Sequence, residues 1–346
     1  MSLSRIGAAL DALGGLTGPV LAVRPEEAPD LSPLPRDGTR VVTGFAPLAD
    51  ALRQGGWEVA PTVTGPATGP ATGPAGAAVL WWPRARAFGR ALVAELAAVL
   101  PEGAPLVIDG QKLQGIDAAW RDLRARGQVL AEVTKGHGRT FAIANPGAAA
   151  FADWRGTETE VAPGFITRPG VFSADGVDAG SALLARHLPA DLAGAGADLG
   201  AGWGWLAAGV LRSPRVTALD LVEAEAEALT CARRNVTDPR ARFHWADATR
   251  WRPERLLDFV VTNPPFHTGR AADPALGAAF IAAAARMLAP SGRLWLVANR
   301  ALPYEAPLGA AFAHVERIAE EGGFKVLAAA RPRQRGVARA PAIRDR

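Results

Sequence analysis

Short apolar runs alternate with segments of helical periodicity along almost the whole chain of 346 residues. In the first half, the apolar pattern predicts strands at 20–23, 78–82, 106–109 and 140–144 and helices at 46–54, 87–100 and 116–126. In the second half, it predicts strands at 197–199, 216–220, 242–245, 259–262, 294–298 and 325–329 and helices at 179–187, 204–211, 223–235, 275–288 and 308–320. Such alternation is typical of a mostly parallel sheet covered by helices. The chain is long enough for two such units of ordinary size.

Composition narrows the class of protein. Almost half of the residues are apolar, and the single cysteine, Cys231, excludes an intrachain disulfide framework and a cysteine-rich zinc site. The first 21 residues lack the pattern of a secretory signal, and the longest apolar runs are too short to span a bilayer. We therefore expect a soluble cytoplasmic protein that binds no metal and is most simply a monomer.

A glycine loop follows the predicted strand at 197–199. The segment 198–204 reads Asp-Leu-Gly-Ala-Gly-Trp-Gly, with glycines at 200, 202 and 204. Gly200, Gly202 and Gly204 permit a tight turn and a close approach of the backbone to a ligand. The spacing differs from the dinucleotide fingerprint, which requires a further glycine at position 205. In a doubly wound sheet, ligands bind at the carboxyl ends of the strands, so this loop is predicted to bind a nucleotide-like cofactor.

Three carboxylates lie at or near the ends of successive predicted strands. Asp198 precedes the glycine loop and is expected to orient it or to meet a cationic amine. Asp220 is predicted to end the next strand, where a carboxylate can accept two ribose hydroxyls. Asp247 follows the third strand, where it can accept a hydrogen bond from an adenine amino group. Together they strengthen the prediction of a nucleoside-containing cofactor.

The most specific segment is Asn263-Pro264-Pro265-Phe266-His267, directly after the predicted strand 259–262. The two prolines stiffen the backbone and remove two N–H donors. The amide oxygen of Asn263 and the carbonyl oxygen of Pro264 are then available to accept the two hydrogens of one exocyclic amine. Phe266 offers a face on which a base can stack. We therefore predict that Asn263, Pro264 and Phe266 are catalytic residues that hold a planar amine against an electrophile, and that Asn263 also borders the cofactor.

The two halves of the chain follow the same order of motifs. The segment 79–83 matches 260–264, and in both halves a helix, a turn with proline and glycine, and a strand follow. This similarity predicts a duplication of one unit. The first copy lacks the glycine loop and the Asn-Pro-Pro segment, so we expect it to have lost cofactor binding and catalysis.

Residues 160–332 resemble the bacterial 16S ribosomal RNA guanine-N2 methyltransferases of the RsmC type, a class I S-adenosylmethionine family. The similar segments are 169–173, 178–181, 198–204, 263–267, 297–304 and 323–326. The resemblance implies two tandem Rossmann-like doubly wound α/β domains, of which the N-terminal one is degenerate. It also implies S-adenosylmethionine as the cofactor and ribosomal RNA or the small ribosomal subunit as the partner. Phe172 and Ala248 complete the cofactor-binding set that we predict.

The resemblance and the motifs divide the chain into three parts. We predict a degenerate methyltransferase-like domain at 1–155, which docks RNA or stabilises the protein, and a catalytic domain at 156–332. A basic, flexible tail is predicted at 333–346, and its five arginines and one aspartate give a net charge of +4, equal to that of the whole chain. Such a tail favours contact with RNA phosphates.

Other functions share parts of this pattern. The sequence of residues 1–155 barely resembles other family members, so a 23S ribosomal RNA guanine stays an alternative target. Adenine-N6 and protein-glutamine methyltransferases also use Asn-Pro-Pro, since their substrates present a planar amine. A non-catalytic RNA-binding assembly factor is a further alternative. A nicotinamide-dependent dehydrogenase is disfavoured, because its glycine spacing is absent.

Overall fold

The computed structural model describes residues 4–26, 29–64, 75–265, 267–268, 271–272 and 274–333. The chain divides into two compact units. One comprises Met1–Thr159, Thr167–Ala174 and Glu225–Glu227, and the other comprises Glu160–Ile166, Asp175–Ala224 and Ala228–Arg346. Phe266 and residues 334–346, which include most of the predicted tail, lie outside the described residues.

The first unit contains a seven-stranded sheet and four α-helices in its described part. In chain order, these elements are α1 (Arg5–Ala12), β1 (Val20–Val23), β2 (Thr39–Val42), α2 (Ala46–Gln54), β3 (Glu58–Ala60), β4 (Ala77–Trp81), α3 (Arg86–Val99), β5 (Pro105–Gln111), α4 (Ile116–Arg124), β6 (Val129–Lys135) and β7 (Gly138–Ala144). Two 3-10 segments, Lys112–Gln114 and Ala148–Trp154, complete this part. A separate two-stranded sheet, formed by β8 (Thr159–Ala162) and β9 (Phe165–Thr167), follows in the chain and belongs mostly to the second unit.

The second unit contains the other seven-stranded sheet. Its elements are α5 (Ala179–His187), β10 (Gly194–Leu199), α6 (Trp205–Val210), β11 (Val216–Glu223), α7 (Ala226–Asn235), β12 (Ala241–Trp245), β13 (Leu257–Thr262), β14 (His267–Thr268), β15 (Ala271–Ala272), α8 (Pro274–Met287), β16 (Leu288–Asn299), α9 (Glu305–Ala311), β17 (Phe312–Glu321) and β18 (Phe324–Pro332). The short strands β14 and β15 pair with each other and lie outside the large sheet.

The two large sheets have the same topology. The strand order is β3-β2-β1-β4-β5-β7-β6 in the first and β12-β11-β10-β13-β16-β18-β17 in the second. In each sheet the first five strands are parallel, and the sixth strand is antiparallel to both of its neighbours. The chain order reverses at β1 in the first sheet and at β10 in the second, and such a reversal is where doubly wound folds bind ligands. The common topology agrees with the predicted duplication.

The central strands of the second sheet are buried on both faces, as their near-continuous apolar sequences require. Phe259 and Val261 of β13 pack in one core with the helices α5 and α6, while Val260 packs in another core with α8. Successive side chains of a strand point to opposite faces, so β13 contributes to both cores. This central strand ends directly before Asn263.

The predicted helix at 308–320 is wrong beyond residue 311. Helix α9 ends at Ala311, and Phe312–Glu321 forms the edge strand β17, which pairs with β18 along its length. Val315 and Ile318 have the three-residue spacing of a helix, but both are exposed in the strand. Backbone pairing with β18 therefore overrides local periodicity here.

The described part of the chain contains no helix that is long and apolar enough to cross a membrane.

Candidate active site

The glycine loop lies directly after β10, and its conformation needs glycine. Gly200, Gly202 and Gly204 all have positive φ, at 75°, 55° and 87°. A Cβ atom on Gly204 would approach Cγ2 of Val236 to 2.8 Å, so this glycine is required for packing against the end of α7. A Cβ atom on Gly202 would meet nothing within 4 Å. Gly202 therefore borders open space into which a ligand can approach the backbone.

Asp198, the penultimate residue of β10, is a buried carboxyl group. Its exposed fraction is 1%, and its Oδ2 has no hydrogen-bond partner among the described residues. Burial and the nearby carboxylate of Glu223 raise the pKa of Asp198 to about 8, although a backbone hydrogen bond from Ala207 acts in the opposite direction. Near neutral pH, the free protein therefore holds this carboxyl group mostly protonated.

We expect the substitution Asp198→Asn to stabilise the free protein in a pH-dependent way. The pKa of Asp198 is higher in the folded protein than its ordinary value of 3.8, so the folded state binds more protons. Asp198 therefore does not lower the free energy of unfolding below about pH 4. Its destabilising effect grows as the pH rises and reaches its full size above about pH 8. Urea unfolding of both proteins between pH 5 and 9 should show a stability difference that increases with pH. A difference that stays constant over this range would contradict the assignment.

Strand β11 corrects the predicted position of the second carboxylate. Asp220 does not end the strand, because Leu221 and Val222 continue the buried run and β11 extends to Glu223. The Oδ1 atom of Asp220 lies 2.8 Å from Nε2 of His244 on the neighbouring strand β12. Asp220 is only 6% exposed, so it is a buried residue within the sheet rather than a carboxylate at its edge.

Glu223 occupies the position that was predicted for Asp220. Its Oε2 accepts a hydrogen bond of 2.8 Å from the backbone N–H of Gly202, and its carbonyl oxygen accepts one of 3.0 Å from Ala246. These contacts join the end of β11 to the glycine loop on one side and to the segment after β12 on the other. A carboxylate at the last residue of an extended apolar strand is the signal that could have identified Glu223.

The segment after β12 places Asp247 and Ala248 beside this strand end. Oδ1 of Asp247 accepts hydrogen bonds from the backbone N–H and the hydroxyl of Thr249, at 2.8 and 2.6 Å. Its Oδ2 lies 3.8 Å from Nε of Arg250. Ala248 is buried in the core between the sheet and α8. Asp247 thus holds its own turn with Oδ1, while among the described residues Oδ2 has only the long ion pair with the exposed Arg250.

Asn263 lies directly after β13 and is held by the start of helix α5. Its Nδ2 donates hydrogen bonds to Oδ2 of Asp178, at 2.8 Å, and to Oγ of Ser181, at 2.9 Å. The hydroxyl of Thr262 donates to the carbonyl oxygen of Leu199 at 2.6 Å, which joins the ends of β13 and β10. The structure therefore brings Asn263 to the same sheet edge as the glycine loop. Asp178 and Ser181 had no individual role in the prediction, although Asp followed three residues later by Ser at a helix start is a capping pattern.

Three further predicted site residues, Pro264, Phe266 and Phe172, differ in their surroundings or in whether the structure describes them. Pro264 is buried, whereas Phe266 lies outside the described residues. Phe172 belongs to the segment Thr167–Ala174 of the first unit, and 57% of its surface is exposed. The roles of these three residues stay predictions. Over the described ranges, no group of three His, Cys, Asp or Glu side chains is placed to hold a metal ion.

The sequence matches known proteins over most of its length. The family model of the methyltransferase small domain matches residues 163–328. The ribosomal RNA small subunit methyltransferase C of Chromohalobacter salexigens is 32% identical over 285 residues, which cover 80% of this chain and 82% of the relative. The protein of the same name from Pseudomonas paraeruginosa is 34% identical over 272 residues, which cover 74% and 79%.

A solved structure shares the whole architecture. The Thermus thermophilus 16S rRNA N2 G1207 methyltransferase (RsmC), in complex with AdoMet and guanosine, superposes with a TM-score of 0.73. The match covers 94% of this chain and 92% of that chain at 24% identity, and it confirms the predicted fold of two methyltransferase-like domains. With the two relatives, it also confirms the resemblance seen in the sequence. The chain belongs to the ribosomal RNA small subunit methyltransferase C family.

Proposed function

We propose that the chain methylates the exocyclic N2 amine of a guanine in 16S ribosomal RNA, with S-adenosylmethionine as the cofactor. The observation that carries the proposal is the amide of Asn263, whose nitrogen is held by Asp178 and Ser181. Its Oδ1 is the atom left to accept a hydrogen from a substrate amine. Family membership supports the same reaction, since the relatives are named as small-subunit ribosomal RNA methyltransferases.

The residues at the carboxyl ends of β10, β11 and β12 fit S-adenosylmethionine. Glu223 is a carboxylate at a strand end and can accept hydrogen bonds from two ribose hydroxyls. Gly202 borders open space, and a cationic group near the loop would stabilise the ionised form of the buried Asp198. Oδ2 of Asp247 is available for an adenine amino group beside the buried Ala248. The cofactor supplies an electrophilic methyl group when it is bound.

The chain's own residues orient the nucleophile. The N2 amine of guanine is a weak nucleophile because its lone pair is delocalised into the ring. Oδ1 of Asn263 and the carbonyl oxygen of Pro264 accept its two hydrogens, which fixes the direction of the lone pair and provides proximity and orientation. The same two acceptors stabilise the positive charge that develops on the nitrogen. The proton then leaves to water, so no strong base is needed.

The partner and the place of action follow from this substrate. We propose that the first unit, which lacks the glycine loop, docks ribosomal RNA or stabilises the protein. A guanine within a duplex must be flipped out before its amine can reach Asn263. The enzyme then acts on ribosomal RNA or on the small ribosomal subunit in the cytoplasm.

A labelling experiment tests the proposed substrate. The protein is incubated with methyl-labelled cofactor and with purified 16S ribosomal RNA, 23S ribosomal RNA, transfer RNA or small subunits, and the labelled nucleoside is identified by mass spectrometry. We expect N2-methylguanosine in 16S ribosomal RNA or in the small subunit. Label in 23S ribosomal RNA, in adenine or in protein would overturn the substrate, and cofactor binding without any transfer would indicate an assembly factor.

A further inference from the structure

The amide of Asn263 is held by acceptors on one side only. Its nitrogen carries two hydrogens, and the two contacts with Oδ2 of Asp178 and Oγ of Ser181 use both of them. An ionised carboxylate accepts hydrogen bonds and cannot donate them. Rotation of the amide by 180° would replace the hydrogen bond to Asp178 with a repulsive contact between Oδ1 and the carboxylate, although the hydroxyl of Ser181 can donate as well as accept. Oδ1 of Asn263 therefore faces away from Asp178.

Asp178 is itself fixed by the start of helix α5. Its Oδ2 accepts a hydrogen bond of 2.7 Å from the backbone N–H of Ser181, as an N-cap does. Gly180 leaves the necessary space, because a Cβ atom there would lie 3.0 Å from this oxygen and 3.1 Å from the ring of Phe324. One carboxylate oxygen thus caps the helix and anchors the amide. The position of Asn263 depends on a helix end rather than on its own loop alone.

We infer that Asp178 and Ser181 are positioning residues that make the site select a group that donates hydrogen bonds. This inference rests on the proposed function. With Oδ1 presented, an exocyclic amine is bound and a base without that amine leaves the oxygen unpaired. A site built to bond a substrate N–H discriminates strongly against an analogue that lacks it. If the amide were free to rotate, it would present N–H groups half of the time and discriminate less.

Three substitutions separate this role from helix capping. Asp178→Ser keeps a residue that caps helices well but is too short to reach Asn263. We expect kcat to fall about a hundredfold, the effect typical of a misplaced reacting group, while the Kd of the cofactor changes less than about twofold. Asp178→Asn should keep kcat within about fivefold of the wild type, because its side-chain oxygen can still accept hydrogen bonds from the N–H of Ser181 and from Nδ2 of Asn263. Ser181→Ala, which keeps the backbone cap, should lower kcat about tenfold.

Discrimination between bases gives a second readout. Guanosine and inosine differ by the N2 amine, and each is tested as a competitive inhibitor of 16S ribosomal RNA methylation. The wild type should favour guanosine, and the Asp178→Ser/Ser181→Ala double variant should bring the ratio of the two inhibition constants close to one. A matched control is Arg186→Gln at the other end of α5, where the arginine is exposed and paired with Glu321. This control should leave kcat and the ratio unchanged.

The outcomes distinguish a failure of the proposed function from a failure of the positioning role of Asp178 and Ser181. If the wild type does not methylate 16S ribosomal RNA, the proposed function fails. If the wild type is active but Asp178→Ser and Ser181→Ala retain its kcat and its preference for guanosine, the positioning role is wrong. Equal loss in Asp178→Ser and Asp178→Asn would also overturn it, because the charge rather than the hydrogen bond would then be what matters.

Discussion

Replacement of Asn263 by alanine is expected to lower the rate of methyl transfer about a thousandfold while cofactor affinity changes less than about threefold. The substitution removes an acceptor for the amine hydrogens, and loss of one preorganised polar group of this kind lowers kcat by about a hundredfold to a thousandfold. It also removes the orientation that Asp178 and Ser181 impose, which places the effect near the upper end. Single-turnover methylation of 16S ribosomal RNA and calorimetric titration of the cofactor measure the two quantities.

The same measurement on Asn263→Asp serves as the control for size. A carboxylate at 263 has nearly the same volume, but its oxygens would face the carboxylate of Asp178 and could not donate to it. We expect this variant to be as inactive as the alanine variant. Activity within tenfold of the wild type in either variant would remove Asn263 from the catalytic site.

The second large effect is expected on the affinity for S-adenosylmethionine, and it distinguishes Glu223 from Asp220. Glu223→Ala should raise the Kd of S-adenosylmethionine at least about 30-fold, because a hydrogen bond to a charged group contributes about 1.5–3 kcal/mol and the carboxylate is placed to accept two. Asp220→Asn should change this Kd less than about threefold, since Asp220 is buried within β11 and contacts His244 of the neighbouring strand. Calorimetric titration of both variants checks the pair.

This comparison discriminates between the position predicted from sequence and the position found in the structure. A large loss of affinity in Asp220→Asn together with normal binding in Glu223→Ala would restore the original assignment. Urea unfolding shows whether either variant is simply unstable. Asp220→Asn can destabilise the sheet, so its Kd is measured below the onset of unfolding.

Much of the fold follows from local periodicity, and the deviations have identifiable causes. The helices 46–54 and 179–187 and the strand 20–23 were predicted at their observed bounds. The strands β2, β3 and β6 were missed because they are short or lie at a sheet edge, where tertiary pairing rather than apolar content decides. The turn predicted at 290–292 falls within the bounds of β16, but it lies where the pairing with β13 is interrupted, between Leu288, which pairs with Leu257, and Arg293, which pairs with Phe259.

Site residues could be predicted where glycine or proline fixes the local backbone conformation. They were harder to predict where their position depends on the length of a strand. Glycines after a strand and prolines after Asn263 restrict φ strongly, so their positions could be read directly. Asp220 was chosen over Glu223 because the predicted strand stopped three residues early. The contact of Asn263 with Asp178 spans 85 residues and could not be read from spacing, because it depends on the packing of α5 against the sheet.

The buried carboxyl group of Asp198 has a consequence for the history of the two halves. Asp198 of β10 pairs with Val261 of β13, whereas the matching place in the first sheet, beside Leu80 of β4, is occupied by Val23 in a fully buried apolar strand. Selection for stability alone acts against a desolvated carboxyl group with one oxygen that lacks a hydrogen-bond partner among the described residues, whereas ligand binding favours its retention. A copy of the unit that no longer bound cofactor would therefore be free to replace it with an apolar residue such as valine. The first sheet has the composition that such relaxed selection produces.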